Sequence, residues 1–167
     1  EGEAGAVDIP QPRQRATLLP NPDAVADAAR LIDAAEHPVI IGGGQINFEN
    51  AHDALAQFAE ASGAGVVSAF RRQDILPHEH QANLGHFGLH LVPYQKKFWA
   101  DCDLVILAGA RPDGATLQGY SLLRPDQRII HIYPEDAAFA QTNPDMALKA
   151  DAGPSLAALR TGLESPP

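Results

Sequence analysis

The stretch Pro38-Val39-Ile40-Ile41-Gly42-Gly43-Gly44 decides the fold class of this chain. A short, wholly apolar run that ends in glycines is typical of a strand buried on both faces, as in a parallel sheet. Similar apolar runs recur at residues 66–68, 104–109, 128–132 and 147–149. Amphipathic segments alternate with them and predict helices at about residues 22–36, 50–62, 92–100 and 154–162, with a short helix from residue 135. This alternation predicts an α/β domain: a Rossmann-like open parallel sheet of about six strands with helices on both faces.

The composition excludes several classes of protein. The 167 residues include 12 Lys and Arg against 21 Asp and Glu, a net charge of −9, which argues against nucleic-acid and anionic-membrane partners. A single cysteine excludes an internal disulfide framework and a thiolate zinc cluster. No apolar run approaches the roughly 18 residues of a membrane span, and no signal segment opens the chain. We therefore expect a compact, acidic, cytoplasmic domain.

The two ends of the chain differ in texture from its middle. Residues 1–20 contain several prolines and show no apolar periodicity, so we predict an extended interdomain linker there. The folded domain is predicted at residues 21–163, and residues 164–167 form a short tail. Because the first residue is Glu1 rather than Met, we also expect the chain to be a piece of a longer protein.

Three strand ends carry residues that allow close backbone approach, as in a nucleotide cradle. They are Gly42-Gly43-Gly44, Gly109-Ala110-Arg111 and residues 131–134 (His-Ile-Tyr-Pro), and ligands of open α/β sheets bind at such carboxyl ends. A glycine turn can offer N–H groups to a phosphate, although the glycines can equally serve only to turn the chain. The dinucleotide fingerprint is incomplete, because Asn47 stands where the third glycine belongs. Arg111 can reach a phosphate or an adenine face, or it can pair with Asp113 on the surface.

The loop from His78 to His90 suggests a different chemistry. It holds four histidines within thirteen positions, a density that raises the hypothesis of a metal-dependent hydrolase. The spacing His78-Glu79-His80 is not that of a helical zinc motif, so a polar loop is the alternative. Cys102 lies between two aspartates, which should raise its thiol pKa, and is predicted to be a small core residue. No catalytic constellation is predicted.

Taken in order, the motifs resemble the central domain of thiamine-diphosphate-dependent enzymes, in the acetolactate synthase-like branch. The resemblance covers about residues 21–163. It is carried by the stretches 38–44, 65–67, 76–80 (Leu-Pro-His-Glu-His), 84–88 (Leu-Gly-His-Phe-Gly), 103–111 (Asp-Leu-Val-Ile-Leu-Ala-Gly-Ala-Arg) and 129–132 (Ile-Ile-His-Ile).

The resemblance implies a central, non-catalytic domain of a 2-keto acid carboligase or decarboxylase, a transferase or lyase. An upstream pyrimidine-binding domain and a downstream diphosphate-binding domain of the same parent chain would hold thiamine diphosphate and Mg²⁺. The parent would form a homodimer or homotetramer, and no activity is expected from this chain alone. A free-standing ADP- or FAD-binding Rossmann-like module is the alternative, with the metal-dependent hydrolase as a second one.

The resemblance also implies cofactor-binding residues, since some members bind FAD or ADP in this domain. The implied residues are Gly42, Gly43, Gly44, His90, Gly109, Ala110, Arg111 and Asp151. The chain departs from the flavin-binding pattern in lacking a second arginine after Arg111. It also has Tyr133-Pro134 where an acidic residue commonly contacts the ribose or adenine. The site residues and the choice between FAD and ADP are therefore expectations, and no metal ligand is assigned.

Overall fold

The computed structural model describes residues 15–164. Its strands are β1 (Pro38–Gly42), β2 (Gly65–Ser68), β3 (Asn83–His86), β4 (Leu104–Ala108), β5 (Arg128–Ile132) and β6 (Met146–Leu148). Its helices are α1 (Pro22–Asp33), α2 (Gly44–Phe48), α3 (His52–Ser62), α4 (Pro93–Asp101) and α5 (Ala152–Gly162), with a 3₁₀ helix at Asp136–Gln141.

The six strands form one sheet in the order β3-β2-β1-β4-β5-β6, and every neighbouring pair is parallel. The chain moves outward from β1 in one direction through β2 and β3, then returns past β1 to start β4. The strand order therefore reverses between β1 and β4, the position at which open α/β sheets bind ligands. The predicted fold class is confirmed.

The sheet is buried on both faces, as the apolar runs predict. On one face, alternate strand residues such as Ile40, Ile106 and Ile130 pack against α1, α3 and α5. On the other face, Ile41 and Leu107 pack against α4 and the segment 110–123. Asn21 caps α1, because its side-chain oxygen accepts from the N–H groups of residues 23 and 24.

Two elements of the structure were not predicted from the sequence, and each has a physical reason. The loop predicted up to His90 contains β3, an edge strand whose residues are only partly buried and which therefore lacks an apolar run. Its register with β2 also shifts between Val66 and Ser68. The helix α2 has only five residues, too few for a helical period to show in the sequence.

The predicted linker and tail lie partly outside the described residues, at 1–14 and 165–167. The described part of the linker contacts the domain near the start of α5. Leu18 donates its N–H to a side-chain oxygen of Asp151 (3.1 Å) and accepts from the N–H of Asp151 (2.9 Å). Arg15 pairs with the same carboxylate. The boundaries of linker, domain and tail stay a prediction.

None of the helices between residues 15 and 164 combines the length and the apolar character needed to cross a membrane.

Gly43 offers a direct test of how closely the ends of β1 and β4 approach. A Cβ at Gly43 would lie 2.2 Å from the Cα of Ala110 and 2.5 Å from the carbonyl oxygen of Gly109, and both neighbours are backbone. We expect Gly43→Ala to lower the free energy of unfolding by about 3 kcal/mol, because the two turns must separate to admit the methyl group. Urea denaturation followed by fluorescence of the buried Trp99, the single tryptophan, measures this loss.

Gly88→Ala is the matched control. The nearest atom to a Cβ at Gly88 would be 3.9 Å away, so the stability should change by no more than about 0.5 kcal/mol. Equal stability of the two variants would contradict the close contact at Gly43.

Candidate functional site

A cleft of about 330 Å³ opens where the strand order reverses. It lies beyond the carboxyl ends of β1, β2, β4 and β5. It is lined by Gly43, Gly44, Gln45, Phe48, Ala69, Phe70, Arg72, Gly109, Arg111, Asp113 and Tyr133. The volume is at the small end of the range of ligand sites in proteins. The structure thus brings both predicted glycine turns and Arg111 into one cleft.

The glycine turn after β1 is bonded to the end of β4. Gly43 donates its N–H to the carbonyl of Ala108 (3.0 Å), and Gln45 donates to that of Gly109 (3.1 Å). These two N–H groups already donate to backbone carbonyls. A phosphate in the cleft would therefore be bound mainly by side chains. Gly42 is packed against the core, since a Cβ there would lie 2.4 Å from a methyl carbon of Ile75.

Two arginines supply the positive charge of the cleft. Arg111 is 67 % exposed in its side chain and lies 3.4 Å from a carboxylate oxygen of Glu135. Its surface partner is thus Glu135 and not Asp113. The carboxylate of Asp113 instead accepts from the N–H groups of residues 115 and 116 and from the hydroxyl of Thr116. Arg72, which lies four residues after the end of β2, also lines the cleft.

Arg72 was not among the predicted site residues. The stretch Phe70-Arg71-Arg72 follows β2, at the position where a dinucleotide site has an acidic residue. The available signal was its position one strand away from the glycine turn, because β2 lies beside β1. Gln45 was not among the predicted site residues either. Its side-chain Oε1 is buried at the cleft and has no hydrogen-bond partner among residues 15–164.

His131 supports the cleft from within the sheet and is fully buried. Its Nε2 lies 3.0 Å from the carbonyl oxygen of Ala110, and its Nδ1 lies 2.9 Å from the hydroxyl of Thr142. Because a carbonyl only accepts, Nε2 carries the proton, and the neutral ring accepts at Nδ1 from Thr142. Burial lowers the pKa of His131 to about 4, against a smaller opposing effect of the Ala110 hydrogen bond. A neutral imidazole therefore holds the 109–111 turn in place.

Four of the residues that the resemblance assigns to the cofactor do not line this cleft: Gly42, Ala110, His90 and Asp151. Gly42 and Ala110 are buried beside it, and His90 is exposed in the loop before α4. Asp151 is 4 % exposed, and its carboxylate is engaged by Arg15 and by the N–H of Leu18. Their assignment stays a prediction, and the described contacts give Asp151 a role at the start of α5.

A larger cavity of about 520 Å³ lies beside Asp151, and its acidic groups serve the fold. One oxygen of Glu49 accepts from the N–H of Gly153 (2.8 Å) at the first turn of α5. Burial is the main cause that raises the pKa of Glu49. The guanidinium of Arg15 lies 5.8 Å from the centroid of the Phe48 ring, and Phe48 separates this cavity from the cleft. We place the candidate site in the smaller cleft, because its cationic groups are the ones open to a ligand.

The histidine loop gains no support as a metal site. In the described part of the chain, no group of three or more His, Cys, Asp or Glu side chains is placed to hold a metal ion. His80 instead lies 3.2 Å from a carboxylate oxygen of Glu60 and accepts at Nδ1 from the N–H of Ala82. Cys102 is a core residue, as predicted, and its pKa is raised to about 12. Burial is the largest cause, and Asp103 adds to it.

Comparison with known proteins identifies the class of this domain. Residues 25–159 match the family described as thiamine pyrophosphate enzyme, central domain. The chain is 31 % identical over 147 residues to the acetolactate synthase isozyme 1 large subunit of Escherichia coli (strain K12), which is 87 % of this chain and 26 % of that protein. The chain thus spans about a quarter of that relative.

Solved structures share the fold. An X-ray structure of a protein from Mycobacterium smegmatis described as thiamin diphosphate-dependent superposes with a TM-score of 0.74 at 23 % identity, over 96 % of this chain and 32 % of that one. Benzoylformate decarboxylase from Polynucleobacter necessarius superposes with a TM-score of 0.72 at 20 % identity, over 99 % and 31 %. The chain belongs to the family of thiamine pyrophosphate enzyme central domains, as the sequence motifs predict. It is related to acetolactate synthase, whereas neither the free-standing module nor the metal-dependent hydrolase is supported.

The buried neutral His131 predicts a pH dependence of stability. The unfolded chain takes up a proton near pH 6.5, whereas the folded chain does so only near pH 4. The unfolded state therefore binds more protons than the folded state between these pH values. The contribution of His131 to the free energy of unfolding is complete above pH 6.5 and is lost as the pH falls toward 4. We expect this residue to account for a loss of roughly 3 kcal/mol, measured by urea denaturation at a series of pH values.

The variant His131→Gln should lack that component of the pH dependence, whatever its absolute stability. His78→Gln, which changes an exposed histidine, should keep the wild-type pH profile. A wild-type profile in His131→Gln would show that the imidazole is not held neutral in the folded chain.

Proposed function

We propose that this chain is the central, non-catalytic domain of a thiamine-diphosphate-dependent carboligase or decarboxylase that acts on 2-keto acids. The match of residues 25–159 to the central-domain family is the observation that carries the proposal. The chemistry of the cleft supports it as well. Its charged side chains are Arg72, Arg111 and Asp113, and the carboxylate of Asp113 is already bonded to the N–H groups of residues 115 and 116 and to the hydroxyl of Thr116.

The remaining parts of the proposal come from the family resemblance. Thiamine diphosphate and Mg²⁺ would be held by the upstream pyrimidine-binding and downstream diphosphate-binding domains of the parent chain. The parent would be a homodimer or homotetramer in the cytoplasm. In this arrangement the six-stranded sheet positions the two catalytic domains and contributes no group to the reaction.

The test compares the full-length product of the gene with the 167-residue chain. With pyruvate, thiamine diphosphate and Mg²⁺, the full-length protein should release CO₂, and the chain alone should show no turnover. The fluorescence of the buried Trp99 checks that the chain alone is folded during the assay. Other 2-keto acids are assayed as well, in case pyruvate is not the substrate. Thiamine-dependent turnover by the chain alone would refute the non-catalytic role. A full-length protein that binds no thiamine diphosphate would refute the parent activity.

A second function is favoured by the cleft itself, which we propose to bind the adenine nucleotide of ADP or FAD. Arg72 and Arg111 are suited to a diphosphate, because a guanidinium binds phosphate oxygens through charge-assisted hydrogen bonds. The missing second arginine, a departure from the flavin-binding pattern, favours ADP over FAD.

Two measurements separate these ligands. A colourless full-length protein that binds ADP in calorimetry supports the ADP assignment, and a yellow protein that releases flavin on denaturation supports FAD. A colourless protein that does not bind ADP would refute the nucleotide-binding function and leave the domain with a structural role only.

A further inference from the structure

The guanidinium of Arg72 lies directly over the glycine turn, in space that a side chain at Gly44 would share. A Cβ at Gly44 would lie 2.8 Å from Nε of Arg72, 3.3 Å from Nη2 and 3.4 Å from Cζ. The guanidinium is further held by the bond from Nη1 to the carbonyl of Arg71 (3.1 Å). The third glycine of the turn therefore makes room for an arginine side chain, and this places a cation at the mouth of the cleft.

Arg72 makes no close ion pair. Among residues 15–164, no Asp or Glu oxygen lies within 4 Å of its guanidinium, although Arg111 has Glu135 at 3.4 Å. The carboxylate of Asp74 accepts from the side-chain amide of Asn47 (2.6 Å), and the charge of Arg72 only helps to lower the pKa of Asp74 from a longer distance. The guanidinium of Arg72 is therefore available to an anionic group at the cleft.

The surroundings of Arg72 indicate the rest of the ligand. Arg111 lies in the same cleft, and its contact with Glu135 is a solvent-exposed ion pair, which is weak, so an anion can compete for it. Two guanidinium groups in a cleft of about 330 Å³ fit a phosphorylated nucleoside better than a bare phosphate.

We infer that Arg72, seated on Gly44, is the specificity-determining residue of the cleft and selects a nucleotide over the corresponding uncharged nucleoside. This inference rests on the proposed nucleotide-binding function and deepens it, because it names the group that reads the phosphate. The glycine-turn amides contribute less, since those of Gly43 and Gln45 already donate to the end of β4.

The inference is tested by calorimetric titration of ADP and of adenosine into the full 167-residue chain and its variants. Arg72→Gln should weaken ADP binding about tenfold or more and leave adenosine binding unchanged, because one charge-assisted contact to phosphate is lost. Gly44→Ala should weaken ADP binding to a similar degree without changing any charge, because the methyl group displaces the guanidinium.

Arg71→Gln is the matched control. It removes the same charge from the neighbouring position, but the guanidinium of Arg71 lies 5.1 Å from the centroid of the Phe70 ring, and Arg71 does not line the cleft. The affinity of Arg71→Gln for ADP should stay within about threefold of the wild type, because a charge outside the cleft is screened by solvent and salt. Equal losses in Arg71→Gln and Arg72→Gln would overturn the inference, because they would show a general charge effect.

The remaining outcomes separate this inference from the functions proposed above. If Arg111→Gln weakens ADP binding and Arg72→Gln does not, nucleotide binding stands and the role of Arg72 is refuted. If the folded wild-type chain binds neither ADP nor adenosine, both the nucleotide-binding function and the inference fail. The central-domain role is untouched by either result, because it is judged by the activity of the full-length protein.

Discussion

The contact between the glycine turn after β1 and the end of β4 is the constraint on which the rest of the structure depends. Gly43 lies against the backbone of Gly109 and Ala110, and two N–H groups of the first turn donate to carbonyls of the second. These bonds join the central strand pair beyond the last rung of the sheet. Because neighbouring parallel strands end at the same edge, every group that lines the cleft is positioned relative to this contact.

His131 extends that constraint into the protein interior. Its ring connects the carbonyl of Ala110 to Thr142, next to the 3₁₀ helix, so the turn after β4 is held from two sides. The edge of the ring also packs against Phe139, with centroids 5.1 Å apart. A buried polar group whose partners are both satisfied stabilises one arrangement of its neighbours, because any alternative leaves an unpaired polar atom in the core.

The sequence could predict the strands and turns because their signals are local. Apolar runs that end in glycine indicated β1 and β4, and the succession of motifs indicated the family. The roles of single residues were harder to obtain, since they depend on contacts between distant segments. Arg72 and Gly44 are 28 positions apart and meet only because β2 lies beside β1. His131 sits inside an apolar run, where nothing in the sequence identifies Ala110 as its partner.

The groups that hold the fold and the charged groups of the cleft are therefore different sets. Gly43, Ala110 and His131 are buried; Gly43 packs against the backbone of Ala110, whose carbonyl is hydrogen-bonded to His131, so changing any of them disturbs the sheet edge. Arg72 and Arg111 are exposed and fix no strand, so they can change at little cost to stability. Substitutions at the two arginines can therefore change the charge of the cleft while the edge of the sheet keeps its geometry.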